Sequence, residues 1–339
     1  VTAQSAPIVG QICEALDGIP LAIELAAVRV RVLSLDRIGT ELADRFHLLT
    51  GGEHGVLPRL QTIRASVDWS YELLDEKERV LLRRCGVFSG GFTLDACEAV
   101  CTGDDLDRFD VLDVVTSLVD KSLVLVEDRE PTRYAMLETI RQYARERLAE
   151  AGELDATLTR HADAFLALAE RTGPTLGTEV DSDDVLGAEA ANMYAAIDHT
   201  ARVAPGLSLR HCTALAYWWL LTGRLVEGPM ALTRAIDATA GARSPLRAGA
   251  LFWRGYLAFF AGDYERTRAD ETEALELARD LSDTATEARA LNALGLLESQ
   301  SDPGASLSML ERACELARTA SHQWCLAEAT QNVGWSLIQ

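Results

Sequence analysis

The amino-acid sequence predicts a mainly α-helical protein, and three observations lead to this prediction. Apolar residues recur at helical spacing through most of the 339 residues. One pair of short apolar runs, 123–126 and 134–136, flanks a polar turn as the strands of a β-hairpin do. Near the C-terminus, a pattern of two helices joined by a short turn recurs. We expect helical domains with a single hairpin, followed by an α-solenoid.

Residues 1–55 are predicted to form a helical domain. Apolar residues over 8–16 lie at helical spacing, and Gly18 can take the positive φ that follows a helix. Pro20 suits the first turn of the next helix, where its missing N–H costs nothing. A further apolar stripe over 35–46 predicts another helix before a glycine-rich loop.

Residues 56–150 have the pattern of a winged helix. Asp75 and Glu78 form a predicted capping box, and Thr93 is a predicted N-cap, so that each position opens a helix. Residues 110–120 predict a further helix with one broad apolar face. The hairpin follows these helices, and this order of elements is typical of a winged helix.

Residues 151–206 are predicted to form a helical linker, and residues 207–339 a repeat array. Each repeat is a pair of helices, and the turn at Gly223 recurs 39 positions later at Gly262 and again after the same interval. Such repeats stack into a superhelix with a concave binding face. The last helix, predicted over 328–339, has the pattern of half a repeat, so we expect the natural protein to continue.

Composition limits the partners and the location that we expect. The net charge is −20, whereas contact with nucleic-acid phosphates requires clustered arginine and lysine. No apolar run reaches the roughly 20 residues of a membrane-spanning helix, and the first residues do not have the pattern of a signal peptide. We expect a cytoplasmic protein that contacts neither nucleic acid directly nor a membrane.

Several segments resemble one protein family. Residues 17–27 (DGIPLAIELAA) are similar to the GLPL segment of the NB-ARC, or STAND, regulatory NTPases. Residues 60–70, 88–92 and 134–144 resemble the winged-helix region of STAND regulators of the actinobacterial AfsR and large LuxR type, and the repeats resemble tetratricopeptide repeats. The resemblance implies the regulatory part of a signal-transducing transcriptional regulator, in which nucleotide exchange and ligand binding release an effector domain.

The same resemblance implies which positions lie near a bound adenine nucleotide. The proline of the GLPL segment, here Pro20 between Gly18 and Leu21, lies against the nucleotide in this family. A Met-His-Asp motif whose histidine touches ADP is replaced here by Met-Leu-Glu at 136–138. Because Leu137 cannot form a hydrogen bond to a phosphate, we expect it to be a buried helix residue instead.

The sequence predicts no ATP hydrolysis by this chain. A P-loop needs a glycine-rich loop followed by Lys and Ser or Thr. Lys77 and Lys121 are the two lysines of the sequence, and neither follows such a loop. We therefore expect no cofactor in this chain alone, and ATP or ADP only if it is joined to an NTPase core in cis or in trans. In the family the GLPL segment follows that core, so we expect a core upstream.

The partner-binding site is predicted on the repeats. Tyr217, Trp218 and Trp219 lie on the first helix of one repeat, and Trp253 and Tyr256 on the first helix of the next. First helices line the concave face of such stacks, and aromatic residues are enriched at contact centres. Each single ring could instead serve helix packing. Successive residues point about 100° apart on a helix, so we expect at least one ring to face a protein or small-molecule effector.

Two other functions are weighed against this regulatory role. A DNA-binding winged helix is the first, but residues 59–150 contain 13 basic and 19 acidic residues. The predicted recognition helix, 110–120, contains aspartates and no base, whereas major-groove readers use Arg, Lys, Asn or Gln. The second is a stand-alone repeat scaffold. An enzyme is not expected, because no nucleophile motif or phosphate loop is found.

The seven cysteines and one histidine are predicted to be structural. Cys97 and Cys101 lie four positions apart on a helix, as a metal-binding pair would, but no second Cys/His pair with zinc spacing lies near them in the sequence. We therefore expect buried free thiols and no metal site. His161 has no partner acid or nucleophile at a recognisable spacing, and we expect it to be buried as well.

Overall fold

The computed structural model describes residues 6–16, 20–30, 33–40, 58–176 and 182–338. The described chain is mainly helical with one small sheet, which confirms the predicted fold class. It divides into two compact units, residues 1–164 and 165–339. This boundary falls within the predicted linker.

The elements of the first unit follow the predicted order. Its helices are α1 (Ala6–Ala15), α2 (Pro20–Arg29), α3 (Pro58–Glu72), α4 (Glu76–Cys85), α5 (Leu94–Cys101), α6 (Val111–Asp120) and α7 (Glu138–Glu150). Its strands are β1 (Phe92–Thr93), β2 (Leu125–Glu127) and β3 (Arg133–Ala135). Residues 35–40 are helical too.

A small core joins the first helices. Ile12 of α1, Leu16 directly after that helix, Ala26 of α2 and Ile38 are buried together with Trp69 of α3. Apolar side chains at the predicted helical spacing thus meet across three helices and the segment 35–40, and Trp69 joins them from beyond the predicted boundary at residue 55. The predicted turn residue Gly18 and the end of the stripe, Leu42 and Phe46, lie outside the described residues.

Local capping signals define the winged helix. The Asp75 carboxylate accepts a hydrogen bond from the Glu78 backbone N–H at 2.9 Å, and the Glu78 carboxylate accepts one from the Asp75 N–H at 2.8 Å. This is the predicted capping box of α4. Thr93 caps α5 by accepting from the Ala96 N–H at 3.2 Å. Both N-caps are therefore at the residues predicted from the sequence.

The sheet contains the predicted hairpin and one further strand. Strands β2 and β3 pair antiparallel, with Leu125 opposite Ala135. Strand β1 adds to the other edge of β3, with Phe92 opposite Tyr134, so the sheet order is β1-β3-β2. Because β1 has only two residues, it is too short to show the alternation from which strands are recognised.

The second unit is an array of helical pairs. Helix α8 (Leu154–Thr172) contains the boundary between the units. The helices that follow are α9 (Ser182–Ala188), α10 (Ala190–Val203), α11 (Pro205–Leu221), α12 (Glu227–Ala238), α13 (Pro245–Ala261), α14 (Tyr264–Leu281), α15 (Thr284–Glu298), α16 (Pro303–Thr319) and α17 (Gln323–Ser336). The pairs α11/α12, α13/α14 and α15/α16 are the repeats, and α17 begins a further one.

Glycines allow the two helices of each repeat to approach closely. A Cβ added at Gly228 of α12 would lie 2.8 Å from the Trp219 ring of α11. In the next repeats, a Cβ at Gly255 would lie 2.8 Å from a Glu271 carboxylate oxygen, and one at Gly295 would lie 2.8 Å from Leu310. Real Cβ contacts are not this short, so any larger residue would push the paired helices apart.

The packing around Trp219 leads to a stability prediction. Trp219→Ala is expected to lower the free energy of unfolding by about 3–5 kcal/mol, because the lost ring leaves a cavity against Gly228. Urea denaturation followed by circular dichroism measures the change.

Trp335→Ala removes the same side chain from a site where it is 64% exposed, and it should change the free energy of unfolding by no more than about 0.5 kcal/mol. Equal losses in the two variants would contradict the packing described here.

Candidate functional site

Four aromatic rings meet where the first helices of the repeats converge. The ring centroids of Tyr217 on α11 and Trp253 on α13 are 6.3 Å apart. Trp324 on α17 lies 6.0 Å from Tyr217 and 5.9 Å from Trp253, and Tyr256 lies 5.9 Å from Trp324. These residues, Tyr217, Trp253, Tyr256 and Trp324, are called the aromatic cluster below. The cluster connects the first repeat to the last described helix.

Two members of the aromatic cluster have exposed surface. Tyr217 and Trp324 are half-buried, whereas Trp253 is 9% and Tyr256 2% exposed. Phe260, one turn beyond Tyr256 on α13, is 52% exposed and packs edge-to-face on that tyrosine. Burial thus corrects the assignment of Trp253 and Tyr256 to a partner-binding surface. A partner could touch Tyr217, Trp324 and Phe260, which pack on these two rings.

The structure corrects the assignment of Trp218 and Trp219 to a partner-binding surface. Both side chains are fully buried. The indole N–H of Trp219 donates to the Tyr194 hydroxyl at 3.1 Å, and the Arg224 guanidinium lies 4.7 Å from the centroid of the Trp218 ring. Two neighbouring residues can both be buried because α10, α12 and α13 all pack against α11. The expectation of an exposed ring on this helix is met only in part, by Tyr217.

Trp324 is the member of the cluster that the sequence analysis missed. The predicted last helix begins at residue 328, but α17 begins at Gln323. His322 caps it by accepting the Cys325 backbone N–H at 3.3 Å. Histidine is an uncommon N-cap, so the start of this helix carried no familiar signal. With the earlier start, Trp324 falls on a first helix of a repeat, as Tyr217 and Trp253 do.

Ionisable side chains lie next to the aromatic cluster. The guanidinium of Arg289 on α15 is 4.7 Å from the centroid of the Phe252 ring. The Glu328 carboxylate accepts a hydrogen bond from the Tyr256 hydroxyl and another from the Asn292 side chain at 3.4 Å. Glu271 on α14 is fully buried, and neither of its carboxylate oxygens has a hydrogen-bond partner among the described residues.

Burial shifts the ionisation of these groups. It raises the pKa of Glu271 well above the usual value for a glutamate, and the neighbouring Asp270 adds to the effect while Arg289 opposes it. Burial also lowers the pKa of Arg289 and raises that of Glu328. The pKa of His322 is lowered by burial and by the charge of Arg289. The surroundings of these four side chains therefore favour their neutral forms.

The positions assigned to a nucleotide by resemblance lie in the first unit. Pro20 is the exposed first residue of α2, whereas Gly18 and the side chain of Leu21 lie outside the described part of the chain. Leu137 is 38% exposed, which corrects the prediction of a buried helix residue. It precedes α7 as its N-cap with extended backbone, so the buried face of that helix begins only at Ile140.

The surface of the predicted recognition helix is acidic and apolar. On α6, Asp113, Thr116 and Asp120 are exposed, together with Leu112, which is 50% exposed. Lys121, just past the helix, binds the buried carboxylate of Glu78 instead of facing outward. None of the residues of α6 is basic. This face offers no guanidinium or ammonium group to a phosphate.

Comparison with known proteins identifies one domain within the first unit. Residues 74–149 match the family described as "Winged helix-turn-helix domain". This range contains α4 to α6, the sheet and all but the last residue of α7, and the winged helix predicted from the sequence is confirmed.

Relatives that match nearly the whole chain are named as transcriptional regulators. The chain is 39% identical over 341 residues to a Mycobacterium tuberculosis protein named "Putative HTH-type transcriptional regulator", covering 96% of this chain and 38% of that protein. A Mycobacterium bovis protein of the same name matches equally. A second M. tuberculosis protein, named "Uncharacterized protein", is 46% identical over 163 residues, covering 48% of this chain and 42% of its own length. The chain therefore spans well under half of these relatives.

A solved structure is similar to this chain at a much lower sequence identity. The Pyrococcus horikoshii STAND protein with a tetratricopeptide repeat sensor shares 12% identity, covering 95% of this chain and 57% of its own, at a TM-score of 0.36. A score this low carries no argument about this chain.

None of the described helices has the length and apolar character to cross a bilayer.

The buried carboxylate of Glu271 leads to a pH prediction. Its pKa is raised in the folded state above the unfolded value of about 4.3. Above that pH the folded state binds more protons than the unfolded state, so stability falls as the pH rises. Glu271→Gln removes this dependence. We expect its stability relative to the parent chain to increase by about 1–3 kcal/mol from pH 4 to pH 7.5.

Glu276→Gln is the matched control, because Glu276 lies exposed on the same helix. Urea denaturation at both pH values gives the two differences. A pH profile of Glu271→Gln parallel to that of the parent chain would show that Glu271 ionises normally.

Proposed function

We propose that this chain is the regulatory and partner-binding part of a STAND-type, signal-transducing transcriptional regulator of the AfsR and large LuxR kind. The observation that supports the regulatory role most strongly is the 39% identity over 96% of the chain to proteins named as HTH-type transcriptional regulators. The winged helix at 74–149 agrees with it. In this proposal the protein is cytoplasmic, and its nucleotide chemistry belongs to an NTPase core in cis or in trans.

The proposal assigns the winged helix to a nucleotide-state switch and the tetratricopeptide-like repeats to sensing. A sensor surface needs exposed side chains that packed neighbours hold in place, because ordering mobile side chains opposes binding. The aromatic cluster meets this need, since Tyr217 and Trp324 are half-buried over the buried Trp253. The chain itself is proposed to have no enzymatic activity and to bind ATP or ADP only together with that core.

A DNA-binding winged helix is the second candidate, and the family match at 74–149 favours it. The surface of α6 argues against it, because the exposed Asp113 and Asp120 would face phosphates of the same charge. We therefore propose that the winged helix packs on protein and does not read base edges.

A gel shift distinguishes these two roles. The full chain is expected to form no sequence-selective complex with genomic duplex fragments at moderate salt. The double variant Asp113→Lys/Asp120→Lys should gain weak, salt-sensitive binding without sequence preference, because it reverses the charge of α6. A selective complex of the parent chain would move the DNA-binding role to first place.

Transcript profiling tests the sensor assignment. In the organism that encodes the chain, Tyr217→Ala/Trp324→Ala is expected to change the same transcripts as deletion of the gene, because the sensor can no longer bind its effector. Tyr264→Ala, an exposed aromatic residue on the second helix of a repeat, is the matched control and should leave the profile unchanged. Protein levels are compared by immunoblot. A double variant with normal level and normal profile would contradict the assignment.

A further inference from the structure

Three cysteine sulfur atoms lie together in the core of the winged helix. The Sγ atom of Cys85 is 3.8 Å from that of Cys97 and 3.9 Å from that of Cys101. All three sulfurs lie within 4.8 Å of one another. The side chains are between 0% and 1% exposed. Cys85, Cys97 and Cys101 are called the thiol triad below.

The fold assembles the thiol triad from two helices. Cys97 and Cys101 lie one turn apart on the same face of α5, and Cys85 is the last residue of α4, which packs against that face. The sequence showed only the pair on α5. The third sulfur comes from a preceding helix and becomes visible only once the two helices are packed.

The spacing of the sulfurs fits a small metal ion. Sulfur binds d¹⁰ metal ions such as zinc at about 2.3 Å, which places three ligands of a planar trigonal site about 4.0 Å apart. The two measured distances, 3.8 and 3.9 Å, are close to this value. The third distance, between the sulfurs of Cys97 and Cys101, is at most 4.8 Å, so a small movement of these side chains would complete the site.

Two guanidinium groups donate hydrogen bonds to backbone carbonyl groups at one corner of the thiol triad. The Arg84 guanidinium donates to the Cys101 carbonyl oxygen at 2.9 Å, and that of Arg160 donates to the Val100 carbonyl oxygen at 2.8 Å. Metal ions bind thiolates and not thiols, so each sulfur that binds an ion here must first lose its proton.

We propose that the thiol triad binds one copper(I) ion in three-coordinate geometry. Thiolates select soft ions such as Cu(I) and zinc. Structural zinc sites are almost always four-coordinate, yet no histidine or carboxylate among the described residues joins the three sulfurs. The nearly complete burial of the triad leaves no open side for a water ligand. Each thiol that binds releases its proton to solvent, and the copper stays in the +1 state.

Metal retention by the full chain tests the proposal. The purified chain is mixed anaerobically with one equivalent of Cu(I) in excess glutathione, desalted and analysed for copper per chain by mass spectrometry. The variants are Cys85→Ala, Cys97→Ala and Cys101→Ala. Cys212→Ala is the matched control, because Cys212 is an equally buried cysteine in the other unit. Circular dichroism reports whether each variant folds.

The expected result is about one copper per chain in the parent and in Cys212→Ala, with at least a tenfold loss of affinity in each of the other variants. The bound ion should emit the luminescence of a solvent-shielded copper(I) thiolate. Failure of the parent chain to retain copper, equal retention by all variants, or displacement of the copper by equimolar zinc would overturn the proposal.

A second measurement on the parent chain covers the case in which the alanine variants fail to fold. Copper(I) is expected to protect the thiol triad from alkylation in partly denaturing urea, as mapped by peptide mass spectrometry. The other cysteines, Cys13, Cys212, Cys314 and Cys325, should be alkylated at an unchanged rate. Equal protection of all seven, or of none, would contradict the site.

Discussion

The close approach of paired helices is the constraint on which the repeat unit depends. In each repeat one glycine lets a neighbouring side chain occupy the space of a Cβ: Gly228 faces Trp219, Gly255 faces Glu271 and Gly295 faces Leu310. Helices that pack this closely bury more than one face of α11 and α13, which explains why so many large rings are inaccessible there. The half-buried rings Tyr217 and Trp324 therefore lie on tightly packed helices.

Sequence reasoning succeeded where the signal is local. The capping box of Asp75 and Glu78, the N-cap Thr93 and the hairpin depend on neighbours within a few residues, and the structure has each of them. It failed where the outcome depends on packing between distant segments. Burial of Trp218 and Trp219 is decided by three other helices, and the exposure of Leu137 by the residue at which α7 begins.

The residues of the candidate sites likewise divide into those with a local sequence signal and those brought in by packing. Tyr217 and Trp253 could be proposed from helical spacing alone, but Trp324 joins them only through the stacking of the repeats. Cys97 and Cys101 are visible as a pair, whereas Cys85 reaches them through the packing of α4 on α5. Pairing over long sequence distances is set by the sum of many weak contacts, and a single sequence does not display it.

The buried Glu271 also affects how the folded protein exchanges protons with its surroundings. The formal charge of −20 counts every acid as ionised, but this carboxyl keeps its proton to a higher pH than a surface glutamate does. Unfolding at a pH between the unfolded and the folded pKa of this group exposes it to water, where it releases that proton to the buffer. In that pH range the calorimetric enthalpy of unfolding therefore includes the heat with which the buffer takes up a proton, and it will differ between buffers of different ionisation enthalpy at equal pH.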